Sequence, residues 1–194
     1  MGQGTEVRTD RKGSFSAGEG KGGYTLWLEG LPGSGKSTLG GLLASVLKGA
    51  GKPVESLDGD EVRKGLSPDL GFTRKDREVH AHRVGYVSHL LSQQGVRVIV
   101  SLITPYESSR NDVRAQLGDR MIEVWVRCPL EVCEARDPKG LYRKAREGIV
   151  KSMTGIDDPF EEPRSPDVIV DTNKLSKDEC VGLILSEAKK RGFY

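Results

Sequence analysis

Gly30-Leu31-Pro32-Gly33-Ser34-Gly35-Lys36-Ser37-Thr38 is the stretch around which the chain is organised. It fills every fixed position of G-x-x-x-x-G-K-[ST]. The apolar run 24–28 before it reads as a buried strand, and residues 39–47 after it read as a helix. Glycines let the backbone turn tightly enough for its amides to point inward. Those amides, together with the positive end of the following helix, make a seat for phosphate. Lys36 adds a mobile charge for β/γ-phosphates, and the Ser37 hydroxyl is placed to hold Mg²⁺. An ordinary glycine-rich turn is the alternative, and the strand–turn–helix context argues against it.

The chain has 194 residues, enough for one domain with a proper core. Residues 1–23 are rich in Gly, Ser and charge and are expected to form a flexible tail, leaving one domain over 24–194. Net charge is only +2, so no nucleic-acid partner is expected, although a local basic pocket stays open. Cys128, Cys133 and Cys180 are an odd, sparse set without a C-x-x-C pair, which suits a reducing, cytoplasmic compartment. No run approaches 18 apolar residues, so neither a membrane span nor a membrane partner is expected.

From residue 24 onward strands and helices alternate. Strands are expected at 53–57, 96–102, 121–126 and 168–170. Helices are expected at 74–94, 107–117, 130–135, 141–147 and 177–190, the last opened by a Ser176–Glu179 capping box. Val84, Val87 and Leu91 mark the buried stripe of the longest helix. The rhythm implies an α/β fold: a doubly wound, mostly parallel sheet with helices on both faces and ligands at the C-terminal strand ends. Residues 136–164 are too polar for core and too long for a plain connector, so a lid is expected there.

Candidate site residues cluster after the strands. Asp58 and Asp60 end the second strand beside the phosphate loop. One carboxylate can help order Mg²⁺ and the other can take a proton from an attacking hydroxyl. A solvated Asp-Gly turn is the alternative. Arg63 is placed to bind an anionic acceptor. Phe72 precedes a helix, where it is either a staple or a platform for a flat ring. Arg77 and Arg83 lie two helical turns apart and either share the cleft or are solvated. Thr104 closes the third apolar strand, either near the γ-phosphate or as a helix cap. His80, His82 and His89 show no metal spacing.

These residues resemble the adenylyl-sulfate (APS) kinase family from residue 23 to about 172. The resemblance rests on the phosphate loop, on 58–66 (DGDEVRKGL), on 71–73 with 76–77, on 103–106 (ITPY), on 137–142 (DPKGLY) and on 154–159 (TGIDDP). It implies a P-loop kinase that moves the γ-phosphate of ATP, with Mg²⁺, to the 3′-hydroxyl of adenosine 5′-phosphosulfate, and it implies a homodimer. Carried over by residue, it puts ATP on Gly30 to Thr38 with Arg136 nearby and Mg²⁺ at Ser37 and Asp58. Asp60 becomes the base, and Lys36 and Thr104 join it in the catalytic set. Arg63 and Arg77 become the phosphosulfate clamp and Phe72 the adenine platform. Asp58, His80, Ile103, Thr104, Lys139 and Met153 complete the acceptor site. The sequence departs from the family pattern at Glu61, His80, His82, Thr104 and Met153. Glu61 and Met153 motivate an alternative, a kinase of another small hydroxyl compound.

Overall fold

The structure, a computed structural model, describes residues 22–193. The expected tail therefore lies outside the described residues, except for Gly22 and Gly23. Five strands and seven helices follow in the order β1 (Tyr24–Glu29), α1 (Lys36–Gly49), β2 (Val54–Asp58), α2 (Gly59–Leu66), α3 (Arg74–Gln93), β3 (Arg97–Ser101), α4 (Glu107–Leu117), β4 (Met121–Arg127), α5 (Leu130–Arg136), α6 (Leu141–Arg146), β5 (Val168–Asp171) and α7 (Lys177–Lys190). The strands form one sheet in the order β2-β3-β1-β4-β5, and every pairing is parallel. This is the doubly wound architecture expected from the alternation.

β1 lies at the centre, and all six of its residues are buried. Parallel strands covered on both faces need apolar side chains on both, which accounts for the unbroken apolar runs. Alternation along β1 sends Tyr24, Leu26 and Leu28 into a cluster with α1 and α7, built on Leu39, Leu43, Ile184 and Ala188. Trp27 goes the other way, into a cluster with Ala81 and Val84 of α3 and Val113 of α4.

The structure corrects three expectations. Asp58-Gly59-Asp60 is not a free turn but the start of α2, with Asp58 as N-cap accepting from the Asp60 amide at 3.3 Å. The buried stripe of α3 runs through His80, Ala81, Val84, Gly85, Ser88 and Ser92, while Val87 and Leu91 are only half-buried. Small residues let α4 approach: a Cβ on Gly85 would stand 2.8 Å from Gln116 Oε1. Segment 136–164 is not uniformly polar either. Tyr142 and Met153 are buried in a third cluster with Cys128 and Cys133.

Candidate active site

A cleft of about 840 Å³ opens at the C-terminal ends of β1, β2 and β3, and segment 136–153 lines its far side. The phosphate loop forms its floor. Gly30 sits at φ +145°, and a Cβ there would meet Val126 O at 2.5 Å, so only glycine lets β1 turn into the loop beside β4. The 14-residue helix α1 begins with no side-chain cap and no acidic residue in its first turn. Its free amides and helix dipole therefore face the cleft unneutralised, as an anion seat requires. The Lys36 ammonium donates to Gly30 O (2.9 Å) and Leu31 O (2.7 Å). Burial holds its pKa down at about 8, against an opposing pull from Cys133, Asp58 and Asp60. Pro32, Gly33, Gly35, Lys36, Ser37 and Thr38 line the cleft. Gly30, Leu31 and Ser34 shape the loop from behind. Leu31 packs into the third cluster, and Ser34 is fully buried.

The two aspartates reach this floor from β2. A Cβ on Gly59 would meet Leu102 Cδ2 at 2.8 Å, so glycine between the carboxylates seats α2 against the end of β3. Ser37 Oγ donates to Asp58 Oδ2 at 2.5 Å, joining the phosphate loop to the capping carboxylate. Asp60 stays largely exposed in the cleft, where it pairs with the Lys139 ammonium from the opposite side. The pair thus stands at a helix start rather than in a free turn, with Asp60 still exposed to solvent in the cleft. Glu61 points to solvent outside the cleft lining and puts no charge into it.

Phe72 is 56% exposed and is not a staple. Thr73 caps α3 in a capping box with Asp76, so the staple partner of Phe72 would be Arg77, a cation. The ring lies 4.7 Å from the Arg63 guanidinium and 5.6 Å from that of Arg77. Arg63 Nη1 also donates to Gly71 O at 2.7 Å. Arg77 is more committed than expected: Nε donates to Phe72 O (3.0 Å) and Nη2 to Ser152 O (2.7 Å), with Asp158 at 3.7 Å. These two bonds use two of its five N–H groups and leave the others for an anion. Arg83 does not share the cleft and instead makes a two-pronged pair with Asp69. His80 is 4% exposed. Its Nδ1 lies 2.9 Å from Ser67 Oγ, and its Nε2 is buried with no hydrogen-bond partner. Burial, with Arg63 and Arg83 adding to it, lowers its pKa to about 4, so the imidazole is neutral. His82 pairs with Asp112 at the surface. Met153 lines the cleft but is 5% exposed, so little of its surface is open to a ligand.

Thr104 lines the cleft with the phosphate loop, but its hydroxyl is engaged elsewhere. Its hydroxyl accepts from Trp27 Nε1 at 3.0 Å, and the residue is 5% exposed. The hydroxyl is thus turned toward the core and is not presented as a catalytic group. It does not cap α4, whose N-cap is Tyr106 without a side-chain bond; the Glu107 amide is met instead by Glu161 Oε2 at 2.7 Å. Ile103 lines the cleft beside Thr104. Arg136 stands beside the phosphate loop as expected, donating to Gly33 O (3.4 Å) and to Thr172 O (2.8 Å). Thr172 also donates to Ser34 O at 2.8 Å. It was missed in the sequence, although its place just after β5 is where a doubly wound sheet gathers ligand contacts. Tyr142, which donates to Pro32 O at 2.9 Å, lay within the 137–142 motif and was likewise overlooked. Among the described residues no three His, Cys, Asp or Glu side chains gather into a metal cage. A hard cation would depend on Ser37, Asp58 and ligand oxygens, the arrangement Mg²⁺ usually adopts with phosphates.

The sequence profile described as Adenylylsulphate kinase matches residues 22–171. The adenylyl-sulfate kinase of Synechococcus sp. (strain JA-3-3Ab) is 49% identical over 174 residues, covering 90% of this chain and 98% of that protein. A structure of the Mycobacterium tuberculosis APS kinase CysC in complex with AMPPNP and APS superposes with a TM-score of 0.82 at 39% identity, covering 87% of this chain and 98% of that one. A gluconokinase from Sinorhizobium meliloti, at 21% identity and a TM-score of 0.57, shares the fold alone.

Proposed function

The chain belongs to the adenylylsulphate kinase family, and from that premise we propose that it transfers the γ-phosphate of ATP to the 3′-hydroxyl of adenosine 5′-phosphosulfate (APS), giving 3′-phosphoadenosine 5′-phosphosulfate (PAPS) and ADP. One observation carries the reading: Lys36, the Ser37–Asp58 pair, Asp60 and the arginine-flanked Phe72 all line one cleft. The test is a single assay of ATP, Mg²⁺ and APS with the product weighed by mass spectrometry. A product of PAPS mass is expected, and none above background would overturn the reading.

The first turn of α1 and Lys36 hold the β- and γ-phosphates, the ammonium exchanging the Gly30 and Leu31 carbonyls for phosphate oxygens. Ser37 and Asp58 would hold Mg²⁺, and their oxygen donors suit it; when bound, the ion neutralises charge between the β- and γ-phosphates. Arg136 and Thr172 flank the ATP side. On the acceptor side, Phe72 offers its face to adenine, Arg63 and the remaining Arg77 N–H groups meet the anion, and His80 Nε2 supplies a neutral hydrogen bond. Asp60 orients the 3′-hydroxyl and takes its proton as the new O–P bond forms and the bond to the ADP oxygen breaks. Before that, Lys139 must leave Asp60, and the incoming phosphates are a competing site for its charge. Residues 136–164 serve as a lid that excludes water from the transfer. A cytoplasmic homodimer belongs to the same reading; the three free cysteines are in keeping with a reducing compartment, and a hexameric APS kinase from Thiobacillus denitrificans among the similar structures shows that a relative self-associates.

Two further outcomes follow. Phe72→Ala is expected to raise the APS KM by about ten- to a hundredfold, the worth of one stacked base, and to leave the ATP KM within about twofold. With 56% of the residue exposed, folding should be unaffected, and steady-state kinetics with each substrate varied will check this. ATP affinity should fall about tenfold per pH unit above about 8, where free Lys36 loses its proton. Calorimetric titration between pH 7 and 9.5 measures it, and a flat profile refutes the assignment. The stability sign is opposite. Between pH 8 and 10.5 the unfolded chain holds a proton at Lys36 that the folded one has lost, so folding stability contributed by this group rises with pH.

A further inference from the structure

Among the described residues the non-glycine residues well inside the left-handed φ range are Thr104 at +43° and Ser152 at +57°, and both line the cleft. A β-branched residue there is a genuine outlier, and such strain persists only where surrounding contacts over-determine it. Each carbonyl is held by an arginine. Arg110 Nη1 donates to Thr104 O at 3.0 Å, and Arg77 Nη2 donates to Ser152 O at 2.7 Å. Arg110 is 3% exposed and lies outside the cleft, near Glu29 (3.7 Å) and Glu123 (3.8 Å). The two turns are also joined. Tyr106 Oη donates to Asp158 Oδ2 at 2.7 Å, Asp158 lies 3.7 Å from Arg77 Nε, and the Glu161 amide donates to Pro105 O at 2.8 Å. The carboxylate of Asp157 grips the amides of Ser152 (2.7 Å) and Met153 (2.6 Å) from the other side. Trp27 fixes the Thr104 hydroxyl.

Resting on the kinase reading, we propose that Arg110 and Arg77 are positioning residues that hold these two strained turns as the fixed walls of the acceptor site. The turn at Thr104 sets Ile103, and the turn at Ser152 sets Met153. Burial and the bond to Asp158 push the Tyr106 hydroxyl up to about 12, so it remains a donor and the joint between the walls stays closed across the working pH range. The turn at Thr104 is tied to the phosphate loop, because the Gly30 amide donates to Ile103 O at 3.3 Å. Relaxing the turn at Ser152 would instead shift the acceptor relative to Asp60 from the opposite side of the cleft, so the acceptor KM would respond and the ATP KM would not.

Ser152→Gly tests this cleanly, because glycine accepts the left-handed conformation and frees the turn to leave it. Its melting temperature should stay within about 3 °C of the parent. The APS KM should rise about ten- to a hundredfold, with the ATP KM within about twofold. Ser152→Asn, which tolerates the same conformation, should restore the APS KM. Arg110→Lys keeps the buried charge but not the fork, and should shift the APS KM in the same direction. An unchanged APS KM in Ser152→Gly, or equal rises in both KM values, would overturn the inference. A parent protein that makes no PAPS would instead sink the kinase reading itself.

Discussion

Lys36→Ala is expected to lower kcat/KM for ATP by about a thousandfold or more, the scale for removing a fixed charge from a phosphoryl-transfer site. The side chain is 8% exposed, and its ammonium is satisfied by two backbone carbonyls rather than by a carboxylate. A cation buried on these terms is held ready for a stronger anionic partner. Its depressed pKa reports the cost of that readiness. The same fact predicts how the variant folds. Removing a desolvated charge opposes the usual loss from deleting a side chain, so Lys36→Ala should melt within a few degrees of the parent at pH 7. Single-turnover measurement of ADP release, with a melting curve alongside, checks both parts. Turnover within tenfold of the parent would mean the phosphates sit elsewhere.

Much of this was legible in the sequence because the informative residues are punctuation. Glycine spacing in 30–35 admits one backbone path, and that path fixes a strand before it and a helix after it. The carboxylates at 58 and 60 fall beside the loop because parallel strands deliver their ends to one edge, which is topology and not side-chain detail. What stayed hidden was of two kinds. The first was packing by small residues. Gly85, Ser88 and Ser92 carry no apolar signal, so the sequence reads the stripe on α3 as Val84, Val87 and Leu91, of which Val84 is the fully buried one. The second was the direction of a polar side chain. Nothing in Thr104-Pro105 says that the hydroxyl turns to Trp27, since its partner lies 77 residues away. Arg77 is the same problem in reverse. A sequence counts five donors on a guanidinium, and only the folded chain shows how many are already committed to Phe72 and Ser152.

Asp60→Asn separates proton transfer from binding. The amide keeps the size of the carboxylate and its place in α2, so ATP should bind within about twofold of the parent, while kcat should fall by about 10²–10⁴, the usual worth of a positioned base. The Lys139 pairing makes the result more discriminating. If Asp60 mattered only as the anchor that draws the lid across the cleft, Lys139→Ala would break the same contact and reproduce the loss in full. An ion pair this exposed contributes little to folding or closure, about 0–1 kcal/mol. Lys139→Ala should therefore fall well short of Asp60→Asn in kcat, with its main effect on KM, where Lys139 meets substrate. Raising the salt should weaken the pair, because exposed charges are screened, and should leave the Asp60→Asn defect unchanged. Rapid-quench measurement of the chemical step in both variants at low and high ionic strength decides between base and anchor. Equal kcat losses in the two variants would assign Asp60 to lid closure and leave the 3′-hydroxyl proton without an acceptor on this chain.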